Sequence, residues 1–269
     1  MDEYGGAARL ETLLASGVTE SRLRREVAGG HVVRPLRGCY ALPHASRAAI
    51  LRAAYRAELC CLSLCEALKL PIIAADPRVH LVVPRDRARR ATDKRPVSGV
   101  TLHRLDTPGG SDSATIAVGL DFLGRCADRM QQIVALDAAL NRGFLARGDI
   151  ADFTFTEPHR RQWLMDMVDA RAESLLETIL RVALVERGFE VRPQVRIGSA
   201  GRVDLVVSGK VVVQTDGTEH HSSPAQVIED KRRDRVCVVA GYRVLRFSYA
   251  DVMFHLDEVV EQITATLAY

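Results

Sequence analysis

The sequence predicts an α/β (α+β) chain of several domains: a small helical N-terminus with a hairpin, a mixed α/β middle and a C-terminal α-β-β-β-α-β-α core. Three observations predict it. The length of 269 residues exceeds the usual single domain. Two valine-rich runs, 203–207 and 211–215, stand on either side of Ser208-Gly209, as the strands and two-residue turn of a hairpin would. A leucine-striped segment at 171–187 and an amphipathic one at 250–267 flank that hairpin with apolar residues at helical spacing. Boundaries follow at 1–45, 46–170 and 171–269.

Composition narrows the class. Hydrophobic content of 47% and charged content of 26% are ordinary for a soluble globular chain. No apolar run approaches the roughly 20 residues a membrane helix needs, and the acidic start MDEYGG has no secretory h-region. Cys60, Cys61 and Cys65 fall on one expected helix, unlike the paired knuckles of a zinc site. With Cys39, Cys126 and Cys237 they read as buried thiols of a reducing cytoplasm. A net charge of +3 is too small to argue for nucleic acid by itself, so its distribution has to carry that case.

Taken in order, residues 7–17 suggest a short helix, and Thr19 has the character of an N-cap for a second, Glu20–Ala28, ended by Gly29-Gly30. Residues 32–42 then read as a short β-wing turning at Arg34 to Gly38. Helix, helix and basic hairpin is the pattern of a winged helix-turn-helix. Arg22, Arg24 and Arg25 on the helix and Arg34 and Arg37 on the wing could each neutralise a phosphate. They read also as a solvated basic face on a small scaffold. The T-x₃-L-x₃-V-x-x-G helix (Thr19, Leu23, Val27, Gly30) and the R-G-x-Y-A-L wing (Arg37, Gly38, Tyr40, Ala41, Leu42) resemble the N-terminal winged-helix domain of abortive-infection (AbiEi-type) antitoxins. That resemblance implies DNA binding.

Residues 46–70 read as one helical run, and 78–87 and 98–106 as strands around a cationic loop, Arg85–Arg95. Helices return over 118–146, with polar helical pieces to 170. His80, His103 and His159, isolated in sequence, read as structural, and the whole of 46–170 as a domain connecting the two ends.

The C-terminal third carries the chemistry. Glu173 and Glu177, four apart, share one side of the 171–187 helix. A strand over 190–197 leads into the hairpin, where Gln214 and Asp216 share a face that Asp204 reaches if the register allows. An Asp among valines is costly to bury unless its charge is compensated, and a divalent cation is one way to do so. A solvent-facing row on a half-buried hairpin is the plainer reading. A charged helix, 225–240, a strand, 242–247, and a last amphipathic helix, 250–267, close the chain.

That order of elements, with E-S-x-L-E (Glu173 to Glu177), Val203-Asp204, the block Asp216, Gly217, His220, His221, the helix Asp230, Arg233, Asp234 and the closing Gly241 to Phe247, resembles the PD-(D/E)xK nuclease superfamily, in the branch related to very-short-patch repair endonucleases. The resemblance implies Mg²⁺-dependent hydrolysis of DNA. Asp204 would be the principal ligand, Asp216 a second ligand or water-orienting group, and Glu177, ahead of Glu173, would hold a water from the helix side. His220 or His221 would take or deliver a proton at the leaving oxygen. Lys231, Arg232, Arg233 and Arg235 would grip phosphates, or form ion pairs within their own helix.

Two departures stand out. Gln214 occupies a position that is usually Glu, which would weaken Mg²⁺ binding and move preference towards Mn²⁺, and Asp216 stands where a Lys is common. The leading expectation is a metal-dependent endonuclease, a homodimer if it cuts both strands at once. The alternative is a non-catalytic DNA-binding regulator of the abortive-infection antitoxin type.

Overall fold

A computed structural model describes residues 5–85, 95, 98–106, 112–216 and 224–268. It has a mixed α/β fold in which the described residues form three sheets. The chain divides into two compact units: residues 1–127 with 152–158, and residues 128–151 with 159–269. The stretch expected to be a connecting domain, 46–170, is thus shared between them. Asp121 shows how the first unit recovers its distant piece: its carboxylate accepts the backbone N–H groups of Thr154, Phe155 and Thr156 at 2.6–2.8 Å.

In the first unit, β1 (Ala7–Arg9) precedes α1 (Leu10–Ala15) and α2 (Glu20–Ala28), followed by the hairpin β2 (Val33–Leu36) and β3 (Cys39–Ala41). Sheet order is β1-β3-β2. Thr19 caps α2 by accepting from Arg22 N at 3.2 Å. Ala8, Leu13, Leu23 and Val32 make the core beneath. The helix expected over 7–17 therefore begins as a strand: Ala7–Arg9 pair with β3, and an open sheet edge decides what local propensity leaves undecided.

The run 46–70 is likewise not one helix. It is α3 (Arg47–Tyr55), β4 (Glu58–Leu59) and α4 (Cys61–Ala67), broken where Arg56 and Cys61 take left-handed φ of 51° and 50°. β5 (Val79–Pro84) and β6 (Val100–Leu105) run parallel, giving order β4-β5-β6. Leu51, Tyr55, Leu81 and Val83 pack between α3 and this sheet. Of the cationic loop, Arg85 pairs with Asp106 at 3.0 Å and Arg95 lies over the Tyr55 ring; residues 86–94 lie outside the described residues. Two short helices, α5 (Asp112–Asp121) and α6 (Leu123–Cys126), follow.

The second unit opens with α7 (Arg129–Asn141), α8 (Arg147–Ala151) and α9 (Pro158–Met167), and continues into α10 (Leu175–Glu186), β7 (Val191–Ile197), β8 (Gly201–Val207), β9 (Val211–Asp216), α11 (Pro224–Val239), β10 (Arg243–Ser248), α12 (Tyr249–Phe254) and α13 (Leu256–Ala268). Its sheet has order β10-β9-β8-β7, with β10 parallel to β9 and the other pairs antiparallel. Val206, Val212 and Val244 pack with Val236 and Cys237 of α11 on one face, while α10 contacts β7 and β8. Val211, Val212 and Val213 are fully buried, so the strand is covered on both sides. Of the row that the plainer reading turns to solvent, Gln214 is buried, Asp204 half-buried and Asp216 exposed. The final helix expected over 250–267 is two, separated at His255.

Candidate active site

The turn of the β8–β9 hairpin sets the site. Ser208 and Gly209 both lie in the left-handed region, at φ 47° and 67°, and Lys210 N donates to Val207 O at 3.0 Å. The partner of Val207 is nevertheless Val211, so the loop is one residue longer than the two expected. That residue fixes parity. With Leu205 opposite Val213, the same register carried one step on sets Asp204 opposite Gln214, on the face that α11 covers. A two-residue turn would have put Asp204 across from Val213 and turned it away from Gln214.

A cleft of about 560 Å³ opens there, lined by Glu173, Glu177, Gln194, Asp204, Gln214 and Arg233, among others. Glu177 enters from the first turn of α10, where Ser174 caps the helix by accepting from Glu177 N at 3.1 Å. Its side chain is only 4% exposed as a residue and accepts from Gln194 Nε2 at 2.7 Å and from the Glu173 backbone N–H at 3.2 Å. Asp204 Oδ2 accepts from Thr215 N at 2.8 Å and Thr215 Oγ1 at 3.1 Å. The ladder hydrogen bonding thus gives way to a side chain, which orients the carboxylate.

Charge in the cleft is unevenly satisfied. Glu173 pairs with Arg202 at 2.7 Å and Glu229 with Arg232 at 2.6 Å. Arg232 also donates to Ser199 O, and Arg233 to Ala200 O and Arg202 O. Among the described residues, Glu177 and Asp204 form no ion pair. Burial pushes the Asp204 carboxyl above its usual range, against the Thr215 hydrogen bonds and nearby Arg233, and the charge of Asp216 adds to the push. Glu177 is raised for the same first reason, with Asp204's charge contributing. Two carboxylates lining one polar cleft, neither in an ion pair among the described residues, fit a divalent cation: hard oxygen donors with room for water and phosphate.

The other expected site residues are spread more widely. Gln214, 6% exposed, lines the cleft. Asp216 does not; at the end of β9 its side chain is 60% exposed, with Oδ1 3.7 Å from Arg246 Nη1. Arg246, opposite Gln214 in the parallel register, also meets Asp234 at 2.8 Å and Asp230 at 3.8 Å. The acids of α11 therefore pair across to β10, while within the helix Arg232 pairs with Glu229. Lys231 and Arg235 are exposed; Arg232 and Arg233 are tied to the protein as above. His220 and His221 lie outside the described residues. In the first unit Arg22, Arg24, Arg25, Arg34 and Arg37 are all exposed, Arg24 pairing with Glu20 at 3.1 Å and Arg34 lying over Tyr40.

Sequence reasoning missed Gln194. It sits inside β7 at φ 56°, a left-handed conformation costly to a side chain. The flanking pairs Pro193–Leu205 and Val195–Val203 continue around it. A lone amide between Pro193 and Val195 is a weak signal, and only the fold shows that it donates to Glu177.

The family model REase_MTES_1575, of a restriction-endonuclease-like family, matches residues 177–267. Two proteins of Mycobacterium tuberculosis, Uncharacterized protein MT2308 and Uncharacterized protein Rv2248, are each 25% identical to this chain over 191 residues, spanning 65% of it and 68% of their own length. The C-terminal region is thus similar to a restriction-endonuclease-like family, and the matched span begins at Glu177. No helix among the described residues is long and apolar enough to cross a membrane.

Proposed function

We propose that the protein is a divalent-metal-dependent DNA endonuclease, brought to its substrate by the N-terminal helix–helix–hairpin module. The observation that carries this reading is a pair of carboxylates without ion-pair partners among the described residues, buried Glu177 and half-buried Asp204, lining one cleft of a region similar to a restriction-endonuclease-like family. Asp204 and Glu177, with the Gln214 carbonyl oxygen, would hold Mg²⁺ or Mn²⁺. When bound, such an ion polarises a phosphodiester oxygen and acidifies water beside it. Thr215 orients Asp204, and Gln194 orients Glu177. Asp216, outside the cleft lining and 3.7 Å from Arg246, would orient water or join the ligand set only once Arg246 releases it. His220 or His221 takes or delivers the proton at the leaving oxygen. Lys231 and Arg235, exposed on α11, meet the phosphates beside the cut. Arg22, Arg25 and Arg37, exposed beside α2 and its hairpin, support the assignment of that module as a winged helix that grips DNA.

Gln214 favours a second reading. An amide brings an oxygen but no charge, so a non-catalytic DNA-binding regulator of the abortive-infection antitoxin type would tolerate it. One experiment separates the two: supercoiled, linear, mismatched and single-stranded DNA incubated with Mg²⁺ or Mn²⁺ and wild type, Asp204→Ala, or Arg24 and Arg37 changed together to Ala. The endonuclease reading expects cleavage that Asp204→Ala abolishes and the arginine pair weakens through binding. Intact DNA throughout, with promoter binding untouched by Asp204→Ala, would replace it by the regulator.

A further inference from the structure

Four side chains far apart in sequence meet in the first unit. Cys61 opens α4, His80 lies in β5, His103 in β6 and Cys126 closes α6. His80 is opposite Thr101 and Val82 opposite His103, so the two histidines share one face of the sheet. One ligand atom from each of the four lies within 4.8 Å of all the others.

The separations are those of a coordination polyhedron. Zn–S bonds of about 2.3 Å and Zn–N bonds of about 2.0–2.1 Å in a tetrahedron require edges of about 3.8 Å for S···S, about 3.5 Å for S···N and about 3.3 Å for N···N. Observed are 3.3 Å from His80 Nδ1 to His103 Nε2, 3.5 Å and 3.4 Å from Cys126 Sγ to those two nitrogens, and 3.5 Å from Cys61 Sγ to His103 Nε2. The sulfurs are 3.2 Å apart, somewhat inside the edge and well beyond the roughly 2.05 Å of a disulfide.

We infer that Cys61, His80, His103 and Cys126 form a closed tetrahedral Zn²⁺ site that stabilises the first unit. Nitrogen and sulfur donors select zinc over the hard cations that suit the carboxylate cleft. All four positions are filled by protein, leaving none for substrate, which is the mark of a structural centre. Binding releases one proton from each thiol to solvent, and the two thiolates neutralise the ion.

The surroundings are built to match. His80 is fully buried, and its other ring nitrogen, Nε2, lies 3.1 Å from Asp76 Oδ2. That carboxylate–histidine pairing fixes the tautomer in which Nδ1 faces the metal. Asp76 is itself held by Arg78 at 2.7 Å. Phe122 packs on His103 and stacks on Phe155, closing that side. Cys61 takes its left-handed φ of 50° at the cluster itself, strain that four shared bonds to a metal would offset. This inference is independent of the nuclease reading, since it uses other residues and soft donors.

The test is metal analysis of the full-length protein, purified without a metal-affinity tag or chelator, by inductively coupled plasma mass spectrometry. One zinc per chain is expected, retained in Asp204→Ala and reduced at least tenfold in Cys126→Ser and His80→Ala. Stripping the zinc should lower the melting temperature, and Co²⁺ added to stripped wild type should give the visible bands and thiolate charge transfer of tetrahedral S₂N₂ cobalt. If the variants prove insoluble, the wild-type zinc content and cobalt spectrum decide. A reduced wild-type chain that takes up neither zinc nor cobalt, variants that keep a full equivalent, or iron or copper bound in zinc's place would each overturn the assignment.

Discussion

Asp204 is where the energetics of the site are most exposed to test. Its folded-state carboxyl is raised chiefly by burial, so ionisation costs the fold stability. Well below the ordinary carboxylate range the group is protonated in folded and unfolded chains and costs nothing. As pH rises from the ordinary carboxylate range to the raised folded value, the unfolded chain ionises while the folded group stays protonated, so stability falls, and above the raised value the loss is complete. Asp204→Asn stays neutral and can still accept from Thr215. Without added divalent cation its melting temperature should exceed that of wild type at neutral pH, and the gap should close as pH falls through the raised range. A gap that stays constant, or opens on acidification, would contradict this origin of the shift. Asp204 was legible because a carboxylate inside a valine run needs a reason. Gln194 and Arg246 were not: a glutamine in a strand or an arginine in Tyr-Arg-Val-Leu-Arg-Phe gains meaning only from what faces it across the sheet.

Elements deliver these residues through small local devices. Ser174 at the N-cap of α10 satisfies the backbone of Glu177, so cap and site share one turn. Ser174→Ala should cost about 0.5–2 kcal/mol in urea unfolding and lower cleavage more than Ser16→Ala, whose hydroxyl accepts no cap bond and bonds Leu13 O in the first unit. Equal activity in the two variants would separate the cap from the site. The hairpin shows what sequence can and cannot say at this scale. Its strands and Ser208-Gly209 were evident, but the third loop residue, which decides whether Asp204 faces Gln214, was not. Helix breaks were similarly hidden. Cys61 and His255 bend the chain without Gly or Pro, and apolar spacing runs on past His255 from Val252 to Val259, Val260 and Ile263, all buried.

On the scale of the whole molecule, the second unit is held by a buried pair whose members lie far apart in the chain. Arg181 Nη2 of α10 meets Asp137 Oδ2 of α7 at 2.8 Å, with the Thr178 hydroxyl and the Asp169 backbone N–H on the same carboxylate. Removing one partner leaves the other charge buried alone, so Asp137→Ala should lose about 3–5 kcal/mol by urea unfolding; a loss below about 1 kcal/mol would mean the pair is dispensable. This tie also explains why 128–151 belongs with the C-terminal region rather than with a middle domain, which no local pattern announces. The same holds for Cys61, His80, His103 and Cys126, whose spacing carries no knuckle and whose meeting depends on a parallel strand pair and the ends of two helices. What spacing did carry was the C-terminal order of elements and the carboxylates on them. The central claim is that the Glu177–Asp204 cleft seats a divalent cation, and Mn²⁺ titration of the purified protein followed by electron paramagnetic resonance tests it most directly. Wild type should bind one Mn²⁺ that Asp204→Ala loses and Gln214→Glu binds at least tenfold more tightly. Binding that is absent from wild type and from Gln214→Glu, or unchanged by Asp204→Ala, would contradict it.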